Sequence, residues 1–85
     1  MDGEAARGRI YWRSRRGLLE LELLLIPFVR DRFDDLPEDD QDSYVRLLEN
    51  DDLDIYDWIQ GRSRPEDEAL LAIVDAIRGH NSSRD

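Results

Sequence analysis

Residues Arg15–Phe28, RRGLLELELLLIPF, set two arginines and a glycine against the most apolar segment of the chain and place two carboxylates, Glu20 and Glu22, inside it. Read as a helix from Leu18 to Phe33, the segment is apolar nearly all round, which requires burial on more than one side. The alternation Leu19-Glu20-Leu21-Glu22-Leu23 fits a strand equally well. A strand needs a partner, however, and the chain offers no second alternating run and no Asn-Gly or Asp-Gly hairpin turn. The helix therefore decides the fold class. Pro27 should kink or interrupt it, because proline removes a donor and clashes with the preceding turn. A membrane span does not fit: Glu20, Glu22 and Pro27 break the run, and Arg30 closes it far short of the roughly 20 residues required.

Helix signals continue on both sides. Upstream, Arg7–Ser14 carries Ile10, Tyr11 and Trp12 and ends in arginines, with Gly17 shortly after, which predicts a first helix of about two turns. Downstream, Pro37 is followed by Glu38, Asp39 and Asp40, the acids a helix dipole favours in a first turn, and Tyr44, Leu47 and Leu48 give an apolar stripe ending near Glu49. Asp51 or Asp52 can cap a fourth helix that holds Leu53, Ile55, Tyr56, Trp58 and Ile59, with Gly61 where a left-handed residue would close it. The fifth begins around Pro65 with Glu66, Asp67 and Glu68, repeats Leu70, Ile73, Val74 and Ile77 at helical spacing, and should end at Gly79. Five short helices with short connections predict an all-α fold, a compact five-helix bundle in one domain over residues 1–85, with residues 1–6 and 80–85 as flexible tails.

Composition narrows the function classes. A chain of 85 residues holds one modest core, burying roughly 60 to 65% of the surface its unfolded form exposes. With no cysteine there is no disulfide, thiolate metal site or cysteine nucleophile, which suits a reducing compartment. The N-terminus lacks the apolar run of a signal peptide, so the cytoplasm is the expected location. Residues 1–17 carry five arginines against two acids, net +3, and residues 18–85 carry seven arginines against nineteen acids, net −12, together the overall −9. An acidic body of this kind repels nucleic acid, and the greasy helix after Gly17 lacks base-reading side chains.

Catalytic hardware is scarce. The single histidine, His80, stands beyond an expected helix end as an exposed structural residue, and no phosphate loop, nucleophile elbow or metal-ligand spacing is present. The acid runs Asp34-Asp35 and Glu38-Asp39-Asp40 and the set Glu49, Asp51, Asp52 and Asp54 lack the spacing of a calcium loop, with its central glycine and terminal glutamate, and read as caps and a solvated face. There is no dinucleotide fingerprint, and the core is too small to enclose a pocket of roughly 300 Å³. The entrance to the greasy helix is what remains. Gly17 permits a sharp turn and leaves bare backbone that another surface can approach, which would crowd Arg16, Gly17 and Glu20 onto one corner. Composition alone favours the plainer alternative, in which Gly17 is a cap and Glu20 and Glu22 are first-turn acids. The aromatics Trp12, Phe28, Phe33, Tyr44, Tyr56 and Trp58 divide in the same way between core and interface anchors.

In order and spacing, Arg9-Ile10-Tyr11-Trp12, the RGxxE run Arg16-Gly17-Leu18-Leu19-Glu20, Pro27-Phe28, Leu47-Leu48-Glu49-Asn50-Asp51-Asp52 and Trp58 resemble the flavinylation and assembly-factor family of succinate dehydrogenase over nearly the whole chain. Glu22 stands where members often have Asp, and Asp31 where some have His. The resemblance implies a five-helix fold and a binding factor, not a catalyst, that helps attach FAD covalently to the flavoprotein subunit of succinate dehydrogenase and of fumarate reductase. It implies a working surface of Arg16, Gly17 and Glu20, flanked or supported by Arg9, Leu18, Phe28, Asp52 and Trp58. FAD would act on the partner and not be held tightly by this chain, which would work as a monomer without metal, nucleic acid or membrane insertion. Relatives described as the antitoxin half of a toxin-antitoxin pair supply the alternative, a protein-interaction module without flavin.

Overall fold

A computed structural model describes residues 2–82, which form five α-helices and no strand. They are α1 (Asp2–Arg13), α2 (Leu19–Arg32), α3 (Glu38–Leu47), α4 (Asp52–Gln60) and α5 (Glu68–Ser82), with a 3₁₀ turn at Phe33–Asp35 between α2 and α3. The α2 segment is helical, as its lack of a strand partner required. Its apolar side chains do not go inward all round, as the sequence suggested: Leu21, Leu25, Phe28 and Val29 share one face, buried in the core with Tyr44, Leu47, Ile55, Ile73, Val74 and Ile77 from α3, α4 and α5, while Leu19 and Leu23 on the opposite side stay exposed. Pro27 does not interrupt α2, which runs on to Arg32 with the proline ring itself buried.

Several boundaries differ from expectation. Helix α1 is 12 residues long and begins upstream of Arg7, at Asp2. Asp51 occupies the position before α4 but its side chain makes no capping bond, and Asp52 is the first helical residue. Gly61 closes α4 with φ +80, the left-handed conformation glycine adopts without strain. Helix α5 starts at Glu68, after Pro65 and Glu66, because Asp67 Oδ1 accepts the Ala69 N–H at 2.8 Å and caps it there.

Gly79 does not end α5, and residues 80–82 are helical instead of a tail, as are residues 2–6. Met1 and residues 83–85 lie outside the described residues. The extension is held by α2. Asn81 Nδ2 donates to Leu24 O at 3.3 Å and to Ile77 O at 2.9 Å. His80 is mostly buried, its ring edge-on to Phe28 at 5.8 Å and its Nε2 3.2 Å from Asp31 Oδ2. The Asp31 carboxyl is held below the usual carboxylate range, chiefly by its bond to Arg30 and then by His80.

One buried polar link fixes α1 on the bundle. Ser14, fully buried, donates its hydroxyl proton to Ile10 O at 2.8 Å, so Tyr44 is the donor in the 2.7 Å bond between the two hydroxyls. Burial pushes the Tyr44 hydroxyl well above the ordinary tyrosine value, against smaller opposing effects of Ser14 and Arg16. A folded state that holds this proton more tightly keeps its full stability below about pH 10 and loses it as pH rises further. Urea midpoints measured from pH 8 to 11.5 should be level and then fall, and Tyr44→Phe should lessen the fall. An equal alkaline decline in both proteins would contradict this.

Candidate functional site

Between Arg13 and Leu19 the chain turns from α1 into α2, and this corner carries the RGxxE residues. The Ser14–Tyr44 link anchors it on one side. Arg16 anchors it on the other, with all three guanidinium nitrogens engaged: Nε donates to Asp52 Oδ1 at 2.7 Å, Nη2 to Asn50 O at 3.1 Å and Nη1 to Arg13 O at 3.0 Å. Its side chain is only 17% exposed. A charge-assisted pair with a carboxylate is stronger than a neutral hydrogen bond, and here it ties the corner to the start of α4. Arg16 and Asp52 are thus one unit, and Arg16 forms no pair with Glu20.

Gly17 and Glu20 are placed differently. Gly17 is exposed, its φ is not positive, and a Cβ built on it would meet nothing within 4 Å. Neither backbone conformation nor packing within this chain requires glycine there. Glu20 is exposed on the first turn of α2 and takes no hydrogen bond or ion pair among the described residues. Beside it, Arg15 Nε pairs with Glu22 Oε1 at 3.0 Å while its guanidinium sits 5.9 Å from the centre of the Trp12 ring.

The remaining candidates are spread over the molecule. Leu18 is half-buried against the core next to the corner, and Phe28 is 1% exposed within it, so Phe28 can support the surface only from inside. Trp58 lies six residues beyond Asp52, about 9 Å along α4, and lines a separate groove with Gly61, Arg64 and Pro65. Arg9 is exposed on α1 and lines a further cleft with Arg13. Sequence reasoning missed a set of exposed apolar side chains around the corner: Leu19, Leu23 and Leu53, each at least 60% exposed. The signal was the one-turn spacing of Leu19 and Leu23 on a helix with more apolar surface than a small core can cover.

The chemistry of the corner is that of recognition. A shallow depression of about 400 Å³ lies beside it, lined by Arg16, Asn50, Asp51, Asp52 and Leu53. It is larger than the small core led us to expect, but it is a surface feature open to solvent. No cluster of His, Asp or Glu among the described residues could hold a metal ion, and no helix is long and apolar enough to cross a membrane.

Residues 8–81 match the family model described as flavinator of succinate dehydrogenase. The chain belongs to this family. Among members of the flavinator family, the protein named FAD assembly factor SdhE from Vibrio cholerae is 46% identical over 78 residues, covering 92% of this chain and 91% of its own. That from Photobacterium profundum is 44% identical over the same length, 92% of this chain and 89% of its own. The solution structure of a UPF0350 protein superposes with a TM-score of 0.76 at 44% identity, over 99% of this chain and 87% of the other. The Vibrio cholerae and Photobacterium profundum relatives are named as assembly factors and not as enzymes, in keeping with a site that offers a shaped surface.

Proposed function

We propose that this chain binds the flavoprotein subunit of succinate dehydrogenase through the Gly17–Glu20 corner and promotes covalent attachment of FAD to it, in the cytoplasm and as a monomer. The same surface would serve the flavoprotein of fumarate reductase. The observation that carries the reading is Gly17: an exposed glycine that neither backbone nor packing demands, next to an unpaired carboxylate. A missing side chain there is useful to a second surface coming close.

Covalent attachment needs an acceptor side chain of the partner held against the flavin in reactive geometry, and holding two groups so placed can remove several kcal/mol from a barrier. In this chain Arg16 and Asp52 keep the corner rigid, Gly17 admits the partner's backbone, and Glu20 orients a donor on the partner. FAD belongs to the partner. In the depression the Arg16 guanidinium is already neutralised by Asp52 and Asp51 adds a negative charge, which leaves no free cation for the cofactor's diphosphate, so tight binding of free FAD is not expected.

The test is ultraviolet fluorescence of the denatured flavoprotein band after apo-subunit, FAD and this protein have been incubated together. The wild type should raise the signal, and Glu20→Ala, with an unchanged circular dichroism spectrum, should lower it by on the order of tenfold or more, as loss of a charge-assisted contact does. No rise with the wild type, under conditions where another assembly factor gives one, would overturn the proposal.

A further inference from the structure

Residues 14 to 19 of the corner alternate between inward and outward: Ser14, Arg16 and Leu18 are buried or half-buried, while Arg15, Gly17 and Leu19 are exposed. How Gly17 is presented therefore depends on what grips the residues on either side of it. Leu18 packs on the core, and Ser14 is tied to Tyr44 of α3. Arg16 is gripped by the chain that leaves α3, at Asn50 and Asp52.

An arginine commonly fixes the plane of its guanidinium by a two-pronged contact with both oxygens of one carboxylate. Here only Nε meets Asp52, at Oδ1 and 2.7 Å, and Nη2 meets the main-chain carbonyl of Asn50 at 3.1 Å instead. The third contact, from Nη1, goes to Arg13 O, which belongs to the corner and moves with it. A single carboxylate contact leaves the guanidinium free to pivot, so the Asn50 carbonyl sets its plane relative to the bundle.

That carbonyl orients Arg16 only as firmly as the turn carrying it is held. Asn50 holds the turn itself: its Nδ2 donates to Arg46 O at 3.3 Å and to Leu47 O at 3.2 Å, carbonyls of the last turn of α3, where regular helical bonding stops. Both partners are acceptors, which fixes the amide nitrogen as the atom that faces them. A helix cap explains the side chain alone. It does not explain why the same residue's carbonyl is the second seat of Arg16.

We infer that Asn50 is a positioning residue for the docking corner: its side-chain amide locks the turn after α3, its carbonyl then orients the Arg16 guanidinium, and Gly17 is presented outward as a result. The role needs no contact between Asn50 and the partner. It rests on the proposed function for what docks at the corner.

Asn81 provides a matched control, because its Nδ2 also donates to two carbonyls, Ile77 O and Leu24 O, on α5 and α2 and not on the seat of Arg16. Asn50→Ala and Asn81→Ala lose the same kind of bonds, so a difference between them reports the corner and not general stability. Two quantities are read on each: solvent exchange of the Arg16 Nε proton, by heteronuclear NMR of the protein alone, and the dissociation constant for the apo-flavoprotein subunit. Asn50→Ala should exchange that proton at least about tenfold faster and bind at least about fivefold more weakly, while Asn81→Ala stays within about twofold of wild type in both. Should Asn50→Ala lose helical signal, Asn50→Asp replaces it, keeping the shape without the donors, and should show the same two changes. Unchanged exchange in the Asn50 variant, or equal changes in Asn81→Ala, overturns the positioning role whatever the partner does. Faster exchange with wild-type affinity overturns it as well and leaves the proposed function standing. Absence of wild-type binding removes the proposed function, and the role of Asn50 with it.

Discussion

Phe28→Ala should cost about 3–5 kcal/mol of folding stability, the usual range for removing a buried aromatic ring. Phe28 is 1% exposed, with its ring centre 5.9 Å from that of Tyr44 and 5.8 Å from that of His80. It therefore joins α2 to α3 and to the last turn of α5 at once. A domain of this length has about 4–13 kcal/mol to lose. The substitution should leave the protein near its unfolding midpoint at 37 °C, seen as a large fall in the urea midpoint by circular dichroism. A change below about 1 kcal/mol would mean that the α2–α3–α5 junction is not the centre of the core. Any accompanying loss of flavinylation would follow from unfolding, since the ring is out of reach of a partner.

Much of this architecture was legible in the residues. The greasy run had to be a helix once no partner strand existed, and Gly61 announced the left-handed end of α4, which the structure shows at φ +80. Gly79 looked like the same signal and was not. Its helix is carried past it by Asn81 and His80 bonding to α2, contacts 57 and 49 residues away in sequence that no local pattern can display. The start of α5 was misjudged for a related reason: Pro65 and the acids after it mark a helix start, but the capping bond belongs to Asp67.

The candidate site divides along the same line. Its residues could be named from their order, but their division of labour could not. Arg16 looked outward-facing in sequence, whereas the structure commits its guanidinium to Asp52 and Asn50, which lie 36 and 34 residues downstream. Glycine at 17 carried two meanings, a backbone need or a neighbour's need. Only the geometry, with an ordinary φ and open space at the Cβ position, removes the first.

Gly17→Leu should accordingly separate stability from function more sharply than any other substitution in the corner. The new side chain points into open space in the free protein and restricts the unfolded chain, so stability should stay level or rise by up to about 1 kcal/mol. In the proposed complex the same side chain would occupy the volume the partner's backbone needs. A clash at a well-packed contact costs at least about 2–3 kcal/mol, a loss of on the order of 100-fold in affinity. The decisive measurement pairs the two quantities on one preparation: thermal melting of Gly17→Leu alone, and covalent flavin fluorescence of the succinate dehydrogenase flavoprotein band formed in its presence. Wild-type melting with a flavin signal close to that seen without the factor is the predicted result. A variant that melts like wild type and still raises the flavin signal to the wild-type level would contradict the reading of this corner as the docking surface.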